Sequence, residues 1–454
     1  MKTILHIDFN SYFATVEQQA NPRLRGKPVG VTGGDRMERT VLGAASVEAK
    51  KFGVKTGMLL WEAKRLCPQI IIVPGDSDKY LETTKRFLNI LKDYSPYLEV
   101  FSIDEVFLEL PSCVIPANAG IQLIKSRSEL DPRLRGDDKV IKIAQDIKGR
   151  IKSEIGSYIT CSIGISYNKL MAKLAGSLYK QSLRTNLSPE LSRFLLKPDG
   201  LVVIEDEQAA QWVLDRVELD EICGIGPRIK KRLNNMGVFN FNQLRKVPLE
   251  ALLASFKSYG QILYNMARGI DHTPVLPFYE KEEVKSVGHR HTIDHDTGDP
   301  VEIKQILLKL TELVARRLRA KKLVGKTIHC WYSLGTQGQA LRDWQGFSGN
   351  EMQVTIPYTN DGLDIFKACW KIFRKLWDGN KIRMLGVSVS NLKLQTPQNL
   401  SLLPESRRQE DITRTLDKIN DKYGEFSLQR AILLRSQKME RKPNPFLADR
   451  RFRL

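Results

Sequence analysis

Two adjacent carboxylates, Asp104 and Glu105, stand inside an apolar, strand-like stretch from Tyr97 to Leu110. Charges in such a setting are expensive unless something cationic compensates them, and a metal ion is the natural partner for paired oxygen donors. Neighbouring side chains on an unbroken strand point to opposite faces, so the two can share a metal only where the alternation breaks. A hairpin turn at Ile103 to Glu105 is therefore predicted. Asp8 ends another short apolar run, Thr3 to Phe9. Three carboxylates converging from strand ends make the hard-oxygen set that suits Mg²⁺ bridging phosphates. Taken alone, Asp8 serves equally well as a helix-capping residue, and Asp104-Glu105 as a solvated hairpin tip; taken together they point to a metal. Lys169 opens a helical stretch just after a strand, Tyr158 to Ser166, where an ammonium and a helix N-terminus can both face a phosphate; an exposed helix lysine is the simpler alternative. Ile222-Cys223-Gly224-Ile225-Gly226, followed by Ile229, Leu233 and Gly237-Val238, fits either an ordinary turn between helices or a helix-hairpin-helix. In the latter, the glycine turn lets backbone N–H groups approach a DNA phosphate.

These residues need a frame. Thr3 to Phe9 reads as a buried strand, and Asn10-Ser11 are good N-cap types for a helix beginning at Tyr12. Residues 21–75 are short apolar runs broken by Gly and Pro, with a helical stretch around Val47 to Phe52, a small basic subdomain inserted in a larger one. Helical spacing over 78–94, the strand-like 97–110, a third strand at 158–166 and a helix at 168–178 make an α/β or α+β sheet domain. Residues 111–138 lack a consistent period and read as a surface insertion, and 179–198 is a second irregular stretch. Helices with short turns follow over 217–269, then a Pro-containing linker over 271–285. Residues 286–396 alternate strand, long basic helix (301–322), strands (327–334 and 352–356), helix (361–377) and last strand (383–394), a ββα-type or ferredoxin-like module. The tail, 397–454, holds one helical stretch at 411–423 and is expected to be only partly ordered.

The chain has 454 residues, enough for about three domains. No run of about 18 apolar residues occurs, which excludes a membrane helix, and the N-terminus reaches a carboxylate by position 8, unlike a signal peptide. A cytoplasmic protein is expected. Six cysteines, at 67, 113, 161, 223, 330 and 369, form no C-x-x-C pair, which argues against zinc sites and disulfides. The net charge of +19 favours a nucleic-acid partner over a merely soluble basic protein or a membrane-surface binder, and the motifs must decide.

The motifs Asp8-Phe9-Asn10-Ser11-Tyr12-Phe13-Ala14-x-Val16-Glu17, Glu48-Ala49-Lys50-Lys51-Phe52-Gly53-Val54, Ser102-Ile103-Asp104-Glu105 and Gly164-Ile165-Ser166-x-Asn168-Lys169-x-x-Ala172-Lys173 occur in that order. Together they resemble the Y-family translesion DNA polymerases, the polymerase IV type most closely, over residues 1 to about 394. The resemblance implies a multidomain right hand of α/β and α+β construction. Its parts are a palm (1–12 and 76–176, with the insertion 111–138), fingers (13–75), a helical thumb with a helix-hairpin-helix (177–279), a linker (280–285), a little finger (286–396) and a C-terminal tail (397–454). It implies low-fidelity, template-directed synthesis across damaged DNA from dNTPs, by a monomer acting on primer-template DNA. Two Mg²⁺ ions would be held by Asp8, Asp104, Glu105 and the Phe9 carbonyl, one activating the primer 3′-hydroxyl and the other neutralising the triphosphate. Tyr12, Phe13, Lys50 and Lys169 fall in the nucleotide-binding motifs. Phe13 is at the steric-gate position that excludes a 2′-hydroxyl, unless it is simply a core residue of the first helix; Lys169 is at the triphosphate-contacting lysine.

The family's fingers motif N-Y-x-A-R reads Ser46-Val47-Glu48-Ala49-Lys50 here. The phosphate-binding tyrosine hydroxyl is missing, and Lys50 keeps a cation without arginine's bidentate fork. Gly224, Gly226 and Arg290 are expected on DNA, with Arg316, Arg317, Arg319, Lys321 and Lys322 either phosphate contacts or a solvated helix face. Gln398-Asn399-Leu400-Ser401-Leu402-Leu403 resembles a bacterial sliding-clamp motif with an inserted residue and Leu for Phe, or is a plain linker. Intact metal ligands argue for activity. The alternative is a noncatalytic DNA-binding factor retaining the polymerase fold, motivated by Val47 and the insertions.

Overall fold

The computed structural model describes residues 2–33, 40–111, 136–182, 196–280, 283–335, 349–395, 404–424 and 426–433. The chain divides between residues 281 and 282 into two compact units. No helix among the described residues is long and apolar enough to cross a membrane.

The first unit begins with β1 (Thr3–Phe9) and α1 (Tyr12–Ala20), then β2 (Val29–Thr32), β3 (Leu42–Ala45), α2 (Val47–Lys51), α3 (Leu60–Leu66) and β4 (Ile71–Pro74). Next come α4 (Ser77–Lys92), β5 (Leu98–Val100), β6 (Glu105–Leu110), α5 (Gly136–Arg150), β7 (Cys161–Ser166) and α6 (Lys169–Ser182). The short strands β8 (Leu196–Lys197) and β9 (Leu201–Val203) lead into five helices: α7 (Glu207–Leu214), α8 (Pro227–Asn235), α9 (Phe241–Lys246), α10 (Leu249–Phe256) and α11 (Ser258–Met266).

A six-stranded sheet in the order β5-β6-β1-β7-β9-β8 forms the centre, and β3-β2-β4 makes a separate small sheet from residues 29–74. β1 pairs antiparallel with both β6 and β7. Strand alternation then assigns its faces: Leu5, Ile7 and Phe9 enter the main core with Tyr80, Phe87, Leu88 and Leu91 of α4 and Ala144 and Ile147 of α5. His6 and Asp8 face the other way. Phe9 stacks on Phe87 at 4.2 Å between ring centroids, a contact worth about 1 kcal/mol beyond its buried area.

On the opposite face α6 sits directly on the sheet. A Cβ at Gly164 would lie 2.1 Å from the Ala172 carbonyl oxygen and 2.3 Å from the Gly176 nitrogen. Only glycine permits that approach.

Helix α5 starts within the stretch expected to be insertion, because Val140, Ile141, Ile143, Ala144 and Ile147 carry an apolar stripe onto the core; residues 112–135 lie outside the described residues. β8 and β9 continue the central sheet, so the sheet extends beyond the palm boundary expected at 176.

The second unit has the element order β-α-β-β-α-β: β10 (Ser286–Thr297), α12 (Pro300–Ala320), β11 (Leu323–Leu334), β12 (Gly349–Thr359), α13 (Gly362–Leu376) and β13 (Ile382–Leu394). Its antiparallel sheet runs β10-β13-β11-β12, and Ile303, Leu307, Leu310 and Val314 of α12 share its core with Ile365, Cys369 and Phe373 of α13. The tail forms α14 (Pro404–Tyr423), which docks along α12. Arg319 grips Asp417 with two hydrogen bonds, 2.6 and 2.8 Å, Arg316 donates to Asp421 at 2.5 Å, and Arg430 donates to Glu312 at 2.7 Å. Arg317 donates to the Gly288 carbonyl at 3.2 Å. Three of the arginines considered for phosphate are thus occupied within this unit.

Candidate active site

The predicted hairpin is present. Phe101 and Ser102 both donate backbone N–H groups to the Glu105 carbonyl at 3.0 Å, placing Asp104 in the turn and Glu105 at the first position of β6. The Phe9 amide donates to the Asp104 carbonyl at 3.0 Å, tying the turn to the end of β1. Asp8 and Glu105 are direct cross-strand partners, so their side chains leave the same face. Like charges in that position repel. Helix α6 supplies the compensation: Lys173 Nζ donates to Glu105 Oε1 at 2.7 Å, and Lys180 Nζ pairs with Asp8 Oδ1. The lysines are seven residues apart, two helical turns, and so share the face that the small residues Ala172 and Gly176 press onto the sheet.

Electrostatics follow from this packing. Burial pushes Asp8 up to about 7, reinforced by Glu105 and Asp104 and opposed by Lys180. Burial likewise raises Asp104, whose Oδ1 accepts a 2.5 Å hydrogen bond from Ser102 Oγ. Burial also acts upward on Glu105, but the attraction and hydrogen bond of Lys173 outweigh it and the net direction is down. His6 lies on the same face, one pleat from Asp8, and burial lowers its imidazole to about 3. It is neutral, so its 3.8 Å approach to Glu105 is no ion pair. Ligand atoms of His6, Asp8 and Glu105 all lie within 4.8 Å of one another. Asp104 is outside that group, held by Ser102, though near enough for its charge to raise Asp8.

The nucleotide-binding candidates separate. Ser11 holds a left-handed backbone, φ 50° and ψ 40°, that turns β1 sharply into α1, and Lys50 Nζ from α2 donates to its hydroxyl at 2.6 Å. Backbone strain of this kind in a non-glycine residue collects at functional sites. Phe13, half-buried, has its ring centroid 4.6 Å from that of Tyr80. Tyr12 is instead a core residue: its hydroxyl donates to the Tyr80 carbonyl at 2.9 Å and lies 2.8 Å from Thr84 Oγ1, so any nucleotide contact falls to its backbone. Lys169 is also engaged elsewhere, with Glu99 at 3.0 Å and the Pro274 carbonyl at 2.9 Å. The structure does not bring it to the carboxylates.

Gly224 has φ +110°, a conformation that favours glycine, and its carbonyl accepts from the Tyr259 hydroxyl at 2.8 Å. Gly226 caps α8, with nothing within 4 Å of where a Cβ would stand. Arg290 is exposed on β10. Gln398, Leu400, Leu402 and Leu403 lie outside the described residues.

The model of the impB/mucB/samB family matches residues 7–177, that of its C-terminal domain matches 284–402, and the thumb-domain model of DNA polymerase-iota matches 220–271. DNA polymerase IV of Moorella thermoacetica is 34% identical over 441 residues, 95% of this chain and 96% of that protein. The chain belongs to the DNA polymerase IV family. DNA polymerase IV of Pelotomaculum thermopropionicum is also 34% identical, over 95% of both chains. A solved Y-family DNA polymerase chimera superposes with a TM-score of 0.64 at 22% identity, covering 86% of this chain and 99% of that one, which agrees with the palm, fingers, thumb and little-finger architecture. Membership of the DNA polymerase IV family makes the chain a DNA-directed DNA polymerase of the translesion class.

Lys173, Lys180 and His6 were not among the expected site residues. Lys180 falls in the stretch expected to be irregular, 179–198, which α6 enters as far as Ser182; only with both lysines on one helix does a spacing of seven put them on one face. His6 carried a readable signal, two residues before Asp8 on the same strand face.

Proposed function

We propose that the chain joins dNTPs to a primer 3′-hydroxyl at Asp8, Asp104 and Glu105 by two-metal nucleotidyl transfer. The observation that carries this reading is the cross-strand pair Asp8 and Glu105, sharing one sheet face with two ammonium groups from α6. The donors fit a hard dication: the Asp8 and Glu105 oxygens lie within 4.8 Å, and Asp104 sits next to Glu105 in a turn anchored by the Phe9 amide. Two Mg²⁺ ions, when bound, lower the pKa of the primer hydroxyl and neutralise charge on the triphosphate.

The chain's own groups do the rest. With metal bound, Asp8 and Glu105 would no longer need the lysines as compensating charge, and Lys180 and Lys173 would be able to face the anionic triphosphate. The backbone at the start of α1 offers N–H groups to the same phosphates, and Lys50, beside Ser11, adds a cation without arginine's fork. The Phe13 ring serves as the sugar's steric gate. The Phe9 carbonyl is a further metal ligand, Gly224, Gly226 and Arg290 contact the DNA backbone, and the Gln398–Leu403 segment binds the sliding clamp. The protein works as a monomer in the cytoplasm.

Primer extension on undamaged and abasic templates, with Mg²⁺ and single dNTPs, tests the reading. Extension by the wild type that disappears in Asp104→Ala supports it; tight primer-template binding without extension favours the noncatalytic alternative. Lys180→Ala is expected to raise the KM for dNTP about tenfold, the worth of one charge-assisted contact, and an unchanged KM removes that lysine from triphosphate handling.

A further inference from the structure

His6 lies directly opposite Phe107 of β6 and Gly164 of β7. It is 1% exposed, and neither ring nitrogen has a hydrogen-bond partner among the described residues. Buried polar groups in folded proteins nearly always have one. The pocket is shaped around the ring: the Phe107 centroid is 4.9 Å away, and a Cβ at Gly176 would come 2.9 Å from Nδ1. The α6 backbone therefore closes off Nδ1. Nε2 points at the metal-site carboxylates, with Glu105 Oε1 at 3.8 Å, about 1 Å beyond hydrogen-bond length. That same oxygen is held by Lys173 at 2.7 Å.

We infer that His6 is a positioning residue for Glu105, whose Oε1 leaves Lys173 as the metal site fills and accepts a hydrogen bond from His6 Nε2–H. The inference rests on Asp8 and Glu105 being the metal ligands. Its physical logic is that a carboxylate bound to a metal through one oxygen keeps its orientation only if the other is fixed, and an outer donor commonly does so. A lysine is a poor choice for that task, since its flexible ammonium is needed for the triphosphate. A rigid ring walled by Phe107 and Gly176 loses little entropy on forming the bond.

The test uses the full-length protein with ¹⁵N-labelled histidine, bound to a dideoxy-terminated primer-template and the matching dNTP. As Mg²⁺ is added, the His6 Nε2–H proton, identified by its loss in His6→Gln, is expected to move downfield and exchange more slowly with water. Mn²⁺ affinity, read from the electron paramagnetic resonance of the free ion, is expected to fall about tenfold in His6→Leu and to stay within about twofold of wild type in His6→Gln. A melting curve establishes that each variant is folded. If His6→Leu does not fold, the proton response of the wild type decides alone. A His6 proton that ignores Mg²⁺ while Mn²⁺ binds normally overturns the inference and leaves the metal site standing; a wild type that binds no Mn²⁺ overturns the metal site itself. Nitrogen hyperfine coupling to bound Mn²⁺ that vanishes in His6→Gln also overturns the inference, because it makes the imidazole a ligand.

Discussion

Asp8 feels opposing influences, burial lifting it and Lys180 holding it down, and the balance sits at about 7. Below that pH a metal must displace a proton. Apparent Mg²⁺ affinity is therefore expected to fall by up to about tenfold per unit as the pH drops through about 7, with proton release visible as buffer-dependent heat in titration calorimetry. A pH-independent affinity between 6 and 8 would contradict this. Without metal the sign for stability is opposite: a raised carboxylate favours the fold at low pH, and that contribution is lost as the pH rises through about 7. Phe13 can be probed by one substitution. Its ring packs beside Tyr80, so Phe13→Ala is expected to keep dNTP turnover and lower discrimination against ribonucleotides by about tenfold or more. Unchanged discrimination in paired dNTP and rNTP incorporation assays would make Phe13 a core residue only.

At the scale of elements, the hairpin between β5 and β6 was legible because two consecutive charged residues cannot both leave an apolar strand toward one site. The antiparallel pairing of β1 with β6 then placed Glu105 across from Asp8, which no local pattern states. For Lys169, position after a strand is a local property, whereas the partner of a lysine depends on how α6 docks. That docking places Lys173 and Lys180 over the carboxylates and turns Lys169 toward Glu99. Helix α5 is absent from the sequence reading, because the aperiodic stretch before it masks an apolar stripe that begins only at Val140. The close approach of α6 makes a sharp prediction. Gly164→Ala would place a Cβ against backbone atoms of the helix and is expected to destabilise by about 3 kcal/mol, read as a lower urea midpoint with an unchanged slope. A neutral result would mean that α6 stands further off the sheet.

For the whole molecule, the net charge of +19 was legible at once, but its distribution was not. The basic helix α12 looked available for DNA, yet Arg316 and Arg319 bind Asp421 and Asp417 of the tail. Long-range pairs among so many surface charges leave no periodic mark in a sequence. The Arg319–Asp417 pair is partly buried, 16% and 21% exposed, and bidentate, so Asp417→Ala is expected to cost about 1–3 kcal/mol, measured as earlier thermal unfolding of the second unit. DNA affinity should still fall steeply with salt, by about 0.9 log units per phosphate contact for each tenfold rise. In the proposed mechanism the Asp8–Glu105 pair performs the chemistry without being needed for DNA binding. Single-turnover incorporation of one dNTP, measured beside primer-template affinity in wild type and Glu105→Gln, tests it most directly. Incorporation is expected to fall by about a thousandfold or more in the variant with primer-template affinity unchanged; a variant that incorporates at the wild-type rate, or one that loses both in equal measure, would rule out that role for the pair.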